Sequence, residues 1–342
     1  MDEGNFIQYE AFFQKGGGAL LFSGLLGACF LAFANGANDI SKSIATLVGS
    51  GESSYKKTVI FVSLAVAVGS FLASAWAVKI TLLFTKEILA PQVQLNQIFA
   101  LAILAGSIGW VMISTRIGLP VSTTHAIVGS VVLAGIYAFG FDNVLWSNVT
   151  KKVALPLLLS PLIAFSLSYA LFQALFWLCR KQYCINCHWA HWISAISSGF
   201  ARGLNDTPKI AAFGLFFYAA IDPQANLAPR WLFLLLALSN AIGGIVMGLQ
   251  VTNTLAYKVT KMNHLEGFAA NLATSAMVIA TAIKGFPVST THISSSAIMG
   301  MGLQKANLNW KTAGEMLTAW IITLPAAGMI AVSAYWIFSR IL

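Results

Sequence analysis

Gly118-Leu119-Pro120-Val121-Ser122-Thr123-Thr124-His125 recurs almost unchanged as Gly285-Phe286-Pro287-Val288-Ser289-Thr290-Thr291-His292. The second copy lies 167 residues after the first (285 minus 118). A second set of residues keeps the same offset. Gly36, Asn38, Asp39 and Lys42 return as Gly203, Asn205, Asp206 and Lys209 (203 minus 36), and Phe33-Ala34 is matched by Phe200-Ala201. One offset shared by two separated motifs means duplication with no net insertion between them. The chain is therefore read as two related halves.

Composition places those halves in a bilayer. Of 342 residues, 58% are hydrophobic and only 9% charged, against about 25% charged in soluble domains. A soluble protein this apolar has too few polar groups to cover its surface. Lys and Arg number 20 and Asp and Glu 11, leaving +9; such an excess belongs mainly to cytoplasmic loops. Lys56 and Lys57, Lys151 and Lys152, and Arg180 and Lys181 do not all fit one side, so orientation stays open. Asp2, Glu3 and Glu10 near the start do not make the basic n-region of a secretory signal.

Apolar stretches run from Gly18 to Ala34 and from Ile40 to about Gly49, then over 58–84, 96–117, 123–140 and 153–178. They recur at 193–220, 230–251, 264–283, 291–304 and 312–342. Most match the ~20 residues a helix needs to cross roughly 30 Å of hydrocarbon. Strand-type alternation is absent, which argues against a β-barrel. Five apolar stretches separate the starts of the two Asn-Asp motifs, and an odd number of crossings inverts the second half. The fold expected is an all-α polytopic membrane protein with inverted-topology repeats, broken helices and paired re-entrant helical hairpins, in about 10–12 segments. Residues 1–178 form the first repeat, 179–192 a central Cys/His-bearing loop and 193–342 the second repeat.

The duplicated residues carry distinct chemistry. Asp39 and Asp206, with Asn38 and Asn205, put hard oxygen donors inside apolar runs, where an ionisable residue marks a functional site. Gly36 and Gly203 are expected to let the helix unwind beside them. The rival reading of Asn-Asp is a helix cap. Pro120 and Pro287 end the preceding helix, so Ser122, Thr123 and Thr124, and likewise Ser289, Thr290 and Thr291, fall at a helix start. Unpaired backbone N–H groups and the positive dipole end there favour an anion. The rival reading is again capping alone. Lys42 and Lys209 stand three residues beyond each Asp, about one helical turn, and are candidate charge partners. An alternative places their ammonium groups on the anion or in the space of a cation. His125 and His292 either relay protons or hydrogen-bond neighbouring backbone, the preferred reading. Arg116, Arg202 and Lys284 flank the motifs, either snorkelling to the interface or forming an anion vestibule.

In GANDISKSIATLVGSG (36–51), GLPVSTTH (118–125), GLNDTPK (203–209) and GFPVSTTH (285–292) the chain resembles the inorganic phosphate transporter (PiT) family across both halves. The resemblance implies a cell-membrane symporter that imports inorganic phosphate with sodium or protons by alternating access, often as a homodimer. Ser122, Thr123, Thr124, Ser289, Thr290 and Thr291 would then surround phosphate. Asn38, Asp39, Asn205 and Asp206 would serve the coupling cation and the phosphate site. Family members usually carry a small polar residue where Lys42 stands, and a His before a Gly-Ala-Asn-Asp where this chain has Arg202-Gly203-Leu204-Asn205-Asp206. Those departures leave the coupling ion open, and relatives that move sulfate leave the anion open. An anion channel and a membrane enzyme acting on lipid phosphates are the rivals from other classes. The reading adopted is a transporter with no catalytic residues and no resident cofactor. Its partners are phosphate, the coupling cation and the lipid bilayer, with no nucleic acid.

One motif stands apart. Cys184-Ile185-Asn186-Cys187-His188 matches a c-type haem attachment string, but no second axial ligand is evident. Cys179, Cys184, Cys187, His188 and His191 together offer enough ligands for a tetrahedral zinc. An unliganded loop is the favoured reading. Cys29, alone in an apolar stretch, packs as a small hydrophobe.

Overall fold

The computed structural model describes residues 17–75, 77–93, 95–180, 187–218 and 229–341. These form helices α1 (Gly17–Asp39), α2 (Ser41–Gly49), α3 (Tyr55–Leu72), α4 (Gln97–Arg116), α5 (Thr123–Phe139) and α6 (Leu155–Arg180). After them come α7 (Cys187–Tyr218), α8 (Arg230–Met247), α9 (His264–Lys284), α10 (Thr290–Gln304) and α11 (Trp310–Ile341), with short helical turns between. Among the described residues the one strand-like feature is an isolated bridge between Leu89 and Val144. Helices satisfy their own backbone in lipid, which is why the apolar stretches appear as helices. Among the described residues seven helical runs are long and apolar enough to cross a membrane: Gly18–Gly49, Tyr55–Ala75, Gln97–Arg116, Trp146–Cys179, Arg230–Met247, His264–Lys284 and Trp310–Ile341. The chain is a multi-pass membrane protein.

Its surface is apolar, and its interior holds buried charges within apolar core clusters. Phe22, Leu26, Leu158, Leu162 and Ile321 stand exposed. Arg202, Lys42 and Lys209 are among the largest fully buried side chains. An apolar exterior suits lipid, and ionisable side chains buried at membrane depth mark a candidate functional site. Helix α7 is not among the apolar spans, because Arg202, Asp206 and Lys209 lie along it. Protein covers it instead: residues 201–214 are all buried, as are 34–48 of α1 and α2.

The two halves pack crosswise. Helix α1 lies on α8 as α7 lies on α3; α1 contacts α4 as α7 contacts α9; α5 lies on α11 as α10 lies on α6. Each motif helix is thus held partly by the other half. The glycines of the motifs serve this packing. A Cβ at Gly36 would fall 1.8 Å from the Asn240 carbonyl oxygen, and one at Gly203 would fall 2.2 Å from that of Val66. Small residues let membrane helices approach backbone to backbone. The expected unwinding at Gly36 and Gly203 does not occur: α1 stays helical through Gly36 to Asp39, with a single-residue break at Ile40, and α7 runs unbroken through Gly203 even with Pro208 inside it. The glycines admit a neighbouring backbone, and the helices stay hydrogen-bonded through them. Helix also enters the 179–192 stretch from both ends, through Arg180 and from Cys187. Cys184 and the side chain of Cys187 lie outside the described residues.

Candidate functional site

The Pro-Val-Ser-Thr-Thr-His copies build two matching helix starts. Helix α4 ends and Gly118 turns the chain at φ 76°; Gly285 does the same after α9 at φ 78°. Such left-handed turns suit glycine because it has no Cβ to clash. Ser122 then caps α5, its Oγ accepting the His125 N–H at 3.2 Å, and Ser289 caps α10 by accepting that of His292 at 3.1 Å. The two caps touch, Ser289 Oγ donating to Ser122 Oγ at 3.0 Å. The capping reading and the site reading therefore describe the same side chains. Both helices are short, 17 and 15 residues, and their positive dipole ends converge at one point inside the protein.

Around this point lies a buried layer of charge. Asp39 Oδ1 accepts from Lys42 Nζ at 2.9 Å, Arg202 Nη1 at 2.8 Å and Thr290 Oγ1 at 3.1 Å. Asp206 Oδ1 accepts from Lys209 Nζ at 2.7 Å and from the Asn205 amide at 3.0 Å. Its Oδ2 lies 3.0 Å from the same Thr290 hydroxyl, so one hydroxyl bridges the two repeats' carboxylates. Asn38 fixes the first tip: its amide donates to Thr115 Oγ1 at 2.9 Å and the Leu119 carbonyl at 3.0 Å, while Oδ1 accepts the Val121 N–H at 3.0 Å. Asn205 donates to the Val288 carbonyl at 3.1 Å. Thr123 is buried beside them. With Lys42, Arg202 and Lys209 against Asp39 and Asp206, the layer carries one excess positive charge. Asp39 Oδ2, Asn205 Oδ1 and Arg202 Nη2 are buried with no partner in the protein, which leaves polar capacity for a solute.

The pairing of each Lys with its own Asp follows the helical spacing. Arg202 goes further than the sequence allowed: it reaches across the halves to Asp39 and donates from Nε to Ser43 Oγ at 2.7 Å. Arg116 and Lys284 are exposed and take no part. Ser43, Thr115 and the Val121 and Val288 carbonyls escaped the sequence reading. Ser43 had a signal, since it lies four residues beyond Asp39 on the same helical face; the carbonyls had none. His125 and His292 lie 4.5 Å apart between ring centroids with their planes tilted by 33°, and His292 stacks on Trp320 at 4.0 Å. Trp320 in turn donates to the Pro120 carbonyl at 3.1 Å. The imidazoles face a cavity of about 680 Å³ whose walls, Val128, Leu157 and Leu158 among them, are mostly apolar, with Ser296 a further polar side chain. Of the cysteine-loop residues, Cys179 is a free thiol and half-buried, while His191 is buried with Nε2 3.0 Å from Thr46 Oγ1. His188 meets Glu52 rather than His191.

Comparison with known proteins identifies the family of the chain. The model of the phosphate transporter family matches residues 35–188 and 180–331. A "Probable low-affinity inorganic phosphate transporter" of Mycobacterium leprae is 30% identical over 93% of this chain and 78% of its own length. The protein of the same name in Bacillus subtilis is 30% identical over 94% of this chain and 98% of its own. That in Rhizobium meliloti is 31% identical over 90% and 93%. A solved structure, "The sodium-dependent phosphate transporter", superposes with a TM-score of 0.78 at 22% identity, covering 95% of this chain and 100% of that one; at that identity it bears on the fold alone. The chain belongs to the phosphate transporter family, and is a membrane transporter rather than an enzyme.

Proposed function

We propose that the chain imports inorganic phosphate together with a cation by alternating access, through one site shared by two inverted repeats. The observation that carries this reading is the meeting of α5 and α10 at Ser122 and Ser289 within a buried layer of net positive charge. Two converging helix N-termini offer N–H groups and hydroxyls to a tetrahedral oxyanion from two sides. Ser122, Thr123, Thr124, Ser289, Thr290 and Thr291 hold the phosphate. Asn38, Asp39, Asn205 and Asp206 hold the cationic side of the site. The crosswise packing, in which each motif helix rests partly on the opposite half, supports alternating access by rocking of one half against the other. The proposed repeats are residues 1–178 and 193–342.

Labelled phosphate uptake into proteoliposomes tests the reading, with sodium and proton gradients imposed separately and sulfate as competitor. Saturable phosphate uptake that follows one of the two gradients is expected. Flux set by voltage alone would indicate a channel, and preference for sulfate would reassign the anion.

A further inference from the structure

The ammonium groups of Lys42 and Lys209 occupy equivalent cages of oxygen. Lys42 Nζ lies 2.9 Å from Asn38 Oδ1, 2.9 Å from Asp39 Oδ1, 3.1 Å from the Val121 carbonyl and 2.7 Å from Thr291 Oγ1. Lys209 Nζ lies 2.7 Å from Asp206 Oδ1, 2.8 Å from Thr124 Oγ1 and 2.8 Å from the Val288 carbonyl. Each cage takes a carboxylate from its own motif, a carbonyl from the tip of its own half and a hydroxyl from the tip of the other. Carboxylate, carbonyl and hydroxyl oxygens are the donor set that suits hard metal cations. An ammonium has three protons, so the four oxygens about Lys42 exceed what it can satisfy one to one. Both lysines are fully buried, and each ammonium already takes up the oxygens of its cage.

We infer that these two ammonium groups are tethered cations standing where a mobile sodium ion would bind, so that phosphate import by this chain needs no sodium. The inference rests on the phosphate-import reading and narrows its coupling ion. It also gives each lysine a task in positioning, because the same ammonium links its motif helix to both tips.

The test measures labelled phosphate uptake by the wild-type chain in proteoliposomes, with sodium replaced by choline, and binding of radioactive sodium to the purified protein. Unchanged uptake on replacement and no stoichiometric sodium binding are expected. The Lys42→Ser/Lys209→Ser double variant should lose about tenfold or more of its uptake in choline, as removal of charge-assisted hydrogen bonds implies. Added sodium should restore that uptake. Sodium-stimulated uptake or stoichiometric sodium binding by the wild type would overturn the inference, even if the variant fails to fold. Absence of phosphate uptake in every medium would instead refute the phosphate reading, and the sodium-binding arm would still decide the cages.

A separate observation lies beyond the end of α2. Glu52 follows it, His188 opens α7 and His264 opens α9, and one ligand atom from each lies within 4.8 Å of the others. Glu52 Oε2 is 2.5 Å from His188 Nδ1 and 3.2 Å from His264 Nδ1. The Glu52 carboxylate is only 11% exposed. The buried His191 ring, whose Nδ1 has no partner, lies 6.2 Å from that of His264. The geometry points to a divalent transition-metal site of zinc type, with two imidazoles and a carboxylate from three elements and an open fourth position. Bound there, the ion would clamp the α2–α3 connection to α7 and α9. Zinc titration of the purified full chain by calorimetry should give one site, lost in His188→Ala/His264→Ala and kept in Cys184→Ser/Cys187→Ser. No saturable zinc binding, or binding kept by the histidine variant and lost by the cysteine variant, would overturn the assignment.

Discussion

Asp39 is paired with more cations than Asp206 is, and that difference can be measured. Its Oδ1 accepts from Lys42, Arg202 and Thr290, whereas the one cation on Asp206 is Lys209. Asp39→Asn keeps the shape but raises the layer from one excess positive charge to two, and strands Lys42 and Arg202 around a neutral amide. Breaking a buried ion pair by removing one partner costs about 3–5 kcal/mol, because the remaining charge stays desolvated. Adding Arg202→Met to Asp39→Asn returns the layer to one excess positive charge, with Lys42 still held by Asn38, the Val121 carbonyl and Thr291. The double variant should recover about 1–3 kcal/mol relative to the sum of the two single variants, in the range of couplings between contacting residues. Thermal unfolding in a single detergent, read for wild type, both singles and the double, gives the cycle. Strict additivity would refute the claim that Arg202 and Asp39 balance one another, and with it the net-charge argument for the site.

Gly36→Ala and Gly203→Ala should each cost about 1–3 kcal/mol or more through overpacking, since the new methyl falls 1.8 Å or 2.2 Å from a facing carbonyl; unchanged unfolding midpoints would show that α1 and α7 part freely from their neighbours. Asn38→Ala strips the Val121 N–H of its acceptor and leaves a buried donor unpaired, about 1–3 kcal/mol. Faster hydrogen exchange over 119–121 should follow, and unaltered exchange there would remove Asn38 from the support of the tip. Trp320→Phe removes the hydrogen bond to the Pro120 carbonyl while keeping the ring stacked on His292. Loss of uptake without loss of phosphate binding is expected if that bond steadies the first tip, and unchanged uptake would dismiss it.

The sequence shows the helices well because lipid imposes a long apolar run on each crossing; the apolar stretches fall on α1 to α11 with small shifts at their ends, except 58–84, where α3 stops at Leu72 and separate short helices lie at Val78–Leu82 and Leu83–Glu87. The converging tips were also legible: Pro followed by Ser-Thr-Thr makes a helix start, and two copies make two starts. Contacts between helices were not. Gly36 and Gly203 look like hinge residues when each helix is read alone, and their role emerges only with the Asn240 and Val66 backbones against them. Arg202 looks like one more flanking cation until α7 is placed beside α1. The partners of His188 were hidden for the same reason: Glu52 and His264 lie 136 and 76 residues away along the chain (188 minus 52, 264 minus 188).

Equilibrium phosphate binding to the purified protein, compared between wild type and Ser122→Ala/Ser289→Ala, tests the shared site most directly. Each serine contributes a hydrogen bond to a charged group, about 1.5–3 kcal/mol, so the double variant should bind phosphate at least about a hundredfold more weakly. Equal affinity in the two proteins would mean that the converging tips of the two halves do not hold the anion.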